Sequence, residues 1–148
     1  MKIKGWAGYP EYNANITSPK TVSDVIQKLK KGNLIARGNG RSYGDSAISQ
    51  SNTISMKNFD KIISFDEKSG ILVAESGVLL ADIIQKLLPK GWFPYVTPGS
   101  KYVTLGGMVA ADVHGKNHHN EGNFGKYISW IEIIDSSGSI KKCSNFGQ

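Results

Sequence analysis

The stretch Leu34-Ile-Ala-Arg-Gly-Asn-Gly-Arg-Ser-Tyr-Gly-Asp45 limits what this chain can become more than any other. A short apolar run enters a loop carrying Gly38, Gly40 and Gly44, with Arg37, Arg41, Ser42 and Tyr43 interleaved. Glycine lets a backbone reach φ > 0 and approach a ligand closely. Successive unpaired N–H groups in such a loop form an anion-binding concavity, and guanidinium groups grip phosphate in two-pronged fashion. The loop therefore asks for a phosphate or pyrophosphate; the competing reading is a glycine-rich turn with solvated arginines. Two common phosphate loops do not fit. The dinucleotide fingerprint G-x-G-x-x-G opens directly into a helix, whereas the spacing here is G-x-G-x-x-x-G and Asp45–Asn52 shows no helical apolar period. The Gly-Lys-Ser/Thr of a P-loop is missing.

A chain of 148 residues suffices for one domain, and at this size folding buries roughly 70% of the unfolded surface. Its 39% hydrophobic and 20% charged residues match a soluble globular protein. The 17 glycines gather in two candidate ligand loops and in turns. A net charge of +6 suits an anionic ligand, but the cations are spread along the chain, so no nucleic-acid partner is expected. Cys143 is the single cysteine, which excludes an internal disulfide. The start Met-Lys-Ile-Lys-Gly-Trp lacks the apolar core of a signal peptide, and no apolar run nears the ~20 residues of a membrane span. The expected compartment is the cytoplasm, with no membrane span.

Residues 1–20 read as an extended arm, or an edge strand around Ala14–Thr17. Thr21-Val-Ser-Asp24 resembles a capping box; Val22, Val25, Ile26 and Leu29 continue at helical spacing until Gly32. Leu34–Arg37 follows as a strand expected to be buried on both faces, and Thr53–Met56 as a short strand. Ile62–Phe65 and Ile71–Glu75 flank a hairpin turn at Gly70. Leu79, Leu80, Ile83, Ile84, Leu87 and Leu88 form a helical stripe belonging to the core, ended by Pro89 and Gly91. Trp92–Val96 reads as a short strand, Pro98-Gly99-Ser100 as a turn, and Tyr127–Asp135 and Ile140–Cys143 as a hairpin.

Thr104-Leu-Gly-Gly-Met-Val-Ala-Ala111 is the second informative stretch. A helix starting there offers free N–H groups, and its small side chains admit a flat ligand or a close-packed backbone. The three histidines follow in His114-Gly-Lys-Asn-His-His119. The i, i+4 spacing of His114 and His118 serves a metal only on a helix, which Gly115 and Asn117 break; no metal site is expected. A polar loop facing a ligand is the preferred reading, with Lys116 available to meet a negative charge on a phosphate or a reduced cofactor.

Taken together, Ala-Arg-Gly-Asn-Gly-Arg-Ser-Tyr-Gly-Asp, Thr-Pro-Gly-Ser, Val-Thr-Leu-Gly-Gly-Met-Val-Ala-Ala-Asp-Val-His-Gly-Lys-Asn-His-His and Gly-Asn-Phe-Gly resemble the FAD-binding half of the vanillyl-alcohol-oxidase type of flavoprotein. The likeness covers about residues 5–145. It is strongest to the decaprenylphosphoryl-β-D-ribose 2'-oxidase branch, whose Arg-Ser-Tyr-Gly-Asp and His-Gly-Lys-Asn-His-His strings are the specific ones. The resemblance implies an α+β fold of two small subdomains with FAD between them, about 1–97 and the start of the second over 98–148. It implies that Arg37, Gly38, Asn39, Gly40, Arg41, Ser42, Tyr43 and Gly44 hold the pyrophosphate. Gly99, Thr104, Leu105, Gly106 and Gly107 would line the cofactor, and Ala111, Asp112, Val113, His114 and Gly115 would pass along the isoalloxazine. Lys116 and Tyr43 would face the substrate as catalytic residues. Many relatives attach flavin through a histidine in the first loop; Arg41 stands there in this chain, so non-covalent FAD is expected.

The chemistry implied is hydride removal from a secondary alcohol carbon of a sugar or polyol to flavin. Asn39 and Ala111 stand where close relatives often have Leu and Cys. Relatives also continue well beyond Gln148 into a substrate-covering domain, so the substrate is expected to be met through a missing domain or a partner chain. The alternatives are a non-catalytic FAD- or nucleotide-binding module of a split enzyme and, less favoured, a basic nucleic-acid-binding domain.

Overall fold

A computed structural model of the protein describes residues 1–144. The chain opens with a hairpin of β1 (Lys2–Lys4) and β2 (Glu11–Asn13), in register at Ile3 and Tyr12. Next comes a parallel three-stranded sheet, ordered β3 (Ile16–Thr17), β5 (Thr53–Ser55), β4 (Ile35–Arg37). Helix α1 (Val22–Leu29) lies between β3 and β4 in the chain. It starts where the sequence says it should. Thr21 Oγ1 accepts from the Asp24 N–H, and the Asp24 carboxylate accepts from the Thr21 N–H, satisfying two groups that a helix end leaves unpaired. The antiparallel hairpin of β6 (Ile62–Asp66) and β7 (Ile71–Ala74) follows, with an irregularity between Ile62 and Ser64. Then come α2 (Leu80–Leu87), α3 (Leu105–Ala110) and α4 (His118–Glu121), and a final antiparallel hairpin of β8 (Trp130–Ile134) and β9 (Ile140–Ser144).

Three apolar clusters hold these elements. Ile3, Ala14 and Ile48 close the N-terminal hairpin onto the loop after β4. Val25, Ile54 and Phe59 join α1 to the parallel sheet, with Ile134 of β8 packed against them. Val78, Ile83 and Leu87 seat α2 on the β6–β7 hairpin, with Trp92 and Leu105 alongside. Of the stripe read from the sequence, Leu80, Ile83 and Leu87 are buried in the core, and the polar Gln85 and Lys86 between them face outward.

Four expectations change. Strand β4 is an edge strand with Ala36 exposed, not one buried on both faces; β5 is the central strand, and Thr53 and Ile54 carry the burial. Trp92–Val96 forms no strand. Its Trp92 N–H donates back to the Leu87 carbonyl, and its ring packs edge-on to Phe65 over Gly70. Leu88, expected in the core stripe, is 56% exposed; the α-helix ends at Leu87, ahead of Pro89, and a 3-10 turn over Leu88–Lys90 is closed by Gly91 at φ 79°. Tyr127 belongs to a 3-10 turn over Phe124–Tyr127, and the strand begins only at Trp130. No helix among the described residues is long and apolar enough to cross a membrane.

Candidate functional site

The two glycine loops meet at Thr104, the buried N-cap of α3. Its hydroxyl accepts from the Gly107 N–H at 3.2 Å. A Cβ on Gly38 would fall 2.3 Å from that hydroxyl, so the first loop reaches the second only because Gly38 has no side chain. Beside this contact, Asn39 Nδ2 donates to the Tyr102 carbonyl at 2.9 Å. The first loop is therefore docked on residues 102–107 by a close backbone approach and a hydrogen bond.

Within the first loop the two arginines have different jobs. Arg37 ends β4 and turns back: Nη2 donates to the Lys4 carbonyl at 2.9 Å and Nη1 to the Ala47 carbonyl at 3.3 Å. Its pKa is pushed down from the usual arginine value by partial burial. Gly40, at φ 67°, passes so close that a Cβ would sit 2.5 Å from an Arg37 terminal nitrogen. Arg37 braces the loop against the N-terminal hairpin. Arg41 instead places its guanidinium carbon over the Trp6 ring, 4.0 Å from the centroid, and 5.9 Å from that of Tyr102. Its Nε is buried and has no hydrogen-bond acceptor among the described residues.

The backbone points the same way. Among the described residues, none of the N–H groups from Gly38 to Gly44 donates to a protein acceptor. A run of unpaired donors in the loop that also carries a buried, unpartnered guanidinium N–H has the chemistry an anion site needs. A dinucleotide's pyrophosphate fits it.

The second loop corrects one expectation. The N–H groups at the start of α3 are not free: Leu105 donates to the Val78 carbonyl, Gly106 to the Ser76 carbonyl and Gly107 to Thr104 Oγ1. The turn at residues 76–78 lies against the helix start and takes them up. What this loop brings beside the first is Gly99 and Ser100, the half-exposed Tyr102, and the Gly106-Gly107 pair.

Beyond α3, Asp112 adopts φ 40°, outside the usual range for a non-glycine residue. Its carboxylate accepts from the Gly125 N–H at 2.8 Å and from Asn123 Nδ2 at 3.1 Å. Ala111 caps α3, the Phe124 N–H donates to the Val113 carbonyl, and His114 bridges to Asn123. Gly115 is buried against the Thr97 backbone, and Asn117 Nδ2 donates to the Tyr95 carbonyl at 2.9 Å. Residues 111–117 are thus fastened on both sides to loops 95–97 and 123–125. Lys116 and Tyr43 are exposed, and neither side chain has a hydrogen-bond or ion-pair partner among the described residues. His118 meets His114 edge-on at 5.3 Å and His119 at 3.9 Å, and its Nδ1 lies 3.2 Å from the Gly115 carbonyl. No set of three metal-capable side chains converges among the described residues. Trp6 and Tyr102 escaped the sequence reading; they are isolated aromatics in irregular segments, with no periodicity to mark them.

The comparisons with known proteins fit this geometry. Decaprenylphosphoryl-β-D-ribose oxidase of Mycolicibacterium smegmatis is 30% identical, covering 99% of this chain and 33% of its own. D-lactate dehydrogenase of Anaerostipes hadrus is 28% identical over 96% of this chain and 30% of its own. The chain thus spans about a third of the length of these curated relatives. A xylooligosaccharide oxidase from Myceliophthora thermophila C1, solved with xylobiose, shares the fold with a TM-score of 0.82 at 17% identity, over 95% of this chain and 32% of that one. A family model described as FAD binding domain matches residues 10–144. With its two docked glycine loops and the unpaired donors of the first, this chain belongs to that family, the FAD-binding domain of the FAD-linked oxidases.

Proposed function

We propose that the chain is the FAD-binding part of an oxidoreductase that oxidises a secondary alcohol (CH–OH) of a sugar or polyol, with hydride passing to a non-covalently held flavin. The observation that carries the reading is the run of unpaired N–H groups from Gly38 to Gly44 around the buried Arg41 Nε. Arg41 is also the basis for non-covalent attachment, since a guanidinium forms no bond to the flavin ring. The flavin supplies the two-electron acceptor; the protein supplies binding, orientation and charge. The Gly38–Gly44 donors and Arg41 hold the pyrophosphate. Thr104 fixes the second loop against the first, and residues 111–115, fastened through Asp112 and Gly115, run along the ring system. Lys116 stabilises negative charge on the reduced cofactor or on the substrate oxygen as the C=O forms, and Tyr43 lies on the substrate side. The division at about residue 97 into two subdomains gripping FAD belongs to the same proposal.

The sugar or polyol class is supported by the names of two relatives, a ribose oxidase and a xylooligosaccharide oxidase. The test is anaerobic flavin reduction in the intact protein as isolated from its source. Sugar or polyol alcohols are expected to bleach the flavin, and D-lactate to leave it oxidised; bleaching by D-lactate alone overturns the substrate class. Lys116→Met is expected to slow the bleaching by about tenfold or more, and an unchanged rate removes Lys116 from the chemistry. Because the chain spans about a third of its relatives, a second reading is a binding module of a split enzyme. It predicts that bleaching appears only when the complementary chain is added.

A further inference from the structure

We propose that Trp6, in the turn of the N-terminal hairpin, is a positioning residue for the dinucleotide site: it holds the Arg41 guanidinium flat so that the cation meets phosphate edge-on. The inference rests on the reading of Gly38–Gly44 as the pyrophosphate loop. The Trp6 ring centroid lies 4.0 Å from the Arg41 guanidinium carbon. The Trp6 backbone N–H donates to the Ser42 carbonyl at 2.9 Å, so the main chain that carries the indole is tied to the loop that carries Arg41. Its neighbour Gly5 packs so tightly that a Cβ would fall 2.5 Å from the Gly44 carbonyl oxygen. On the other side, Arg37 holds the Lys4 carbonyl. Residues 4–6 therefore clamp the loop at both of its ends and across its middle.

The contrast between the two arginines shows what the clamp is for. Arg37 braces the fold and spends terminal N–H groups on backbone carbonyls. Arg41 is stacked and partly buried, yet its buried Nε has no acceptor among the described residues. Burying such a donor is costly unless an acceptor arrives. A guanidinium with an aromatic ring over its face binds through its edge, which is the geometry of a two-pronged contact to phosphate oxygens. Trp6 fixes that plane before the ligand arrives, which reduces the ordering cost of binding. Trp6 also lies outside the part matched by the family model, which begins at residue 10.

The test is a double-variant cycle on the full chain, read as the FAD dissociation constant by flavin-fluorescence titration, with far-UV circular dichroism as the folding check. Trp6 is 47% exposed, so its loss opens no core cavity. Trp6→Ala is expected to weaken FAD binding about tenfold, the scale of a partly desolvated cation–π contact. Trp6→Phe, which keeps an aromatic face, stays within about threefold of the wild type, and Trp6→Leu, which keeps only bulk, behaves like Trp6→Ala. In an Arg41→Gln background, Trp6→Ala adds less than about twofold, because the group it positions is gone. Trp6→Ala binding FAD as the wild type does, or costing the same tenfold in the Arg41→Gln background, overturns the positioning role and leaves the pyrophosphate loop standing. A folded wild-type chain that binds no FAD overturns the loop reading and the positioning role together.

Discussion

Thr104 is the side chain on which the site turns. It is 4% exposed, caps α3 through Gly107, and occupies the space a Gly38 side chain would need. Gly38→Ala must therefore either break that cap, worth about 1 kcal/mol, or push the two loops apart, with crowding costs of about 1–3 kcal/mol. We expect the unfolding free energy to fall by about 2 kcal/mol in denaturant titration, with weaker FAD binding. A Cβ on Gly99 meets nothing within 4 Å, so Gly99→Ala is the control and should stay within about 0.5 kcal/mol. Equal effects at the two positions would contradict the docking of loop on loop. The sequence marked Gly38 and Thr104 as site residues, but not their contact, because glycine spacing and helix caps are local signals and this apposition is tertiary. The arginines teach the same lesson. Arg37 and Arg41 look alike in the chain, and only the presence of the Lys4 and Ala47 carbonyls, against that of the Trp6 ring, ties one to the scaffold and leaves the other for the proposed ligand contact.

Among the elements, those with strong local codes were legible. The capping box set the start of α1, the apolar stripe gave α2, and Gly70 gave the β6–β7 turn. The β1–β2 hairpin was not legible, because the alternation of Lys-Ile-Lys and Glu-Tyr-Asn runs for only 3 residues in each strand, too short to mark a strand, and the hairpin is held by packing of Ile3 and Ala14 with Ile48. Trp92–Val96 misled because aromatic and β-branched residues favour strands, whereas here Trp92 covers a hairpin face and Tyr95 stacks on Tyr127 at 4.7 Å. That stack belongs to the segment that anchors residues 111–117. The Tyr127 hydroxyl donates to the Glu121 carboxylate at 2.5 Å and to the Glu121 carbonyl at 3.1 Å. The hydrogen bond to the carboxylate pushes the phenol up from 10.0 to about 12. A pKa raised in the folded state means stability that is fully present below the unfolded value and lost as pH rises through the folded one. The wild type should therefore lose its stability margin over Tyr127→Phe between about pH 10 and about pH 12, measured by denaturant titration across that range. A margin that does not change with pH would show that the contact with Glu121 is not made.

At the scale of the whole molecule, the chain brings its ligand loops together within one fold while spanning about a third of its relatives' length. The parallel sheet and α1 present the first loop, and the β6–β7 hairpin with α2 and α3 presents the second. The N-terminal hairpin clamps the first loop from outside. This arrangement was legible as a family likeness because the motifs kept their order and spacing, and the matched residues 10–144 bear it out. Tyr43, Phe93, Tyr95, Ile133 and Ile140 are exposed, but their residue types name no substrate. The central claim is that Gly38–Gly44 and Arg41 hold FAD without a covalent bond. The most direct measurement equilibrates the purified chain with FAD, desalts it, records the visible spectrum and then precipitates the protein with acid. The expected result is a flavin spectrum that survives desalting, leaves with the acid supernatant and is lost in Arg41→Gln. A folded chain that retains no flavin, or a pellet that keeps its colour, would contradict it.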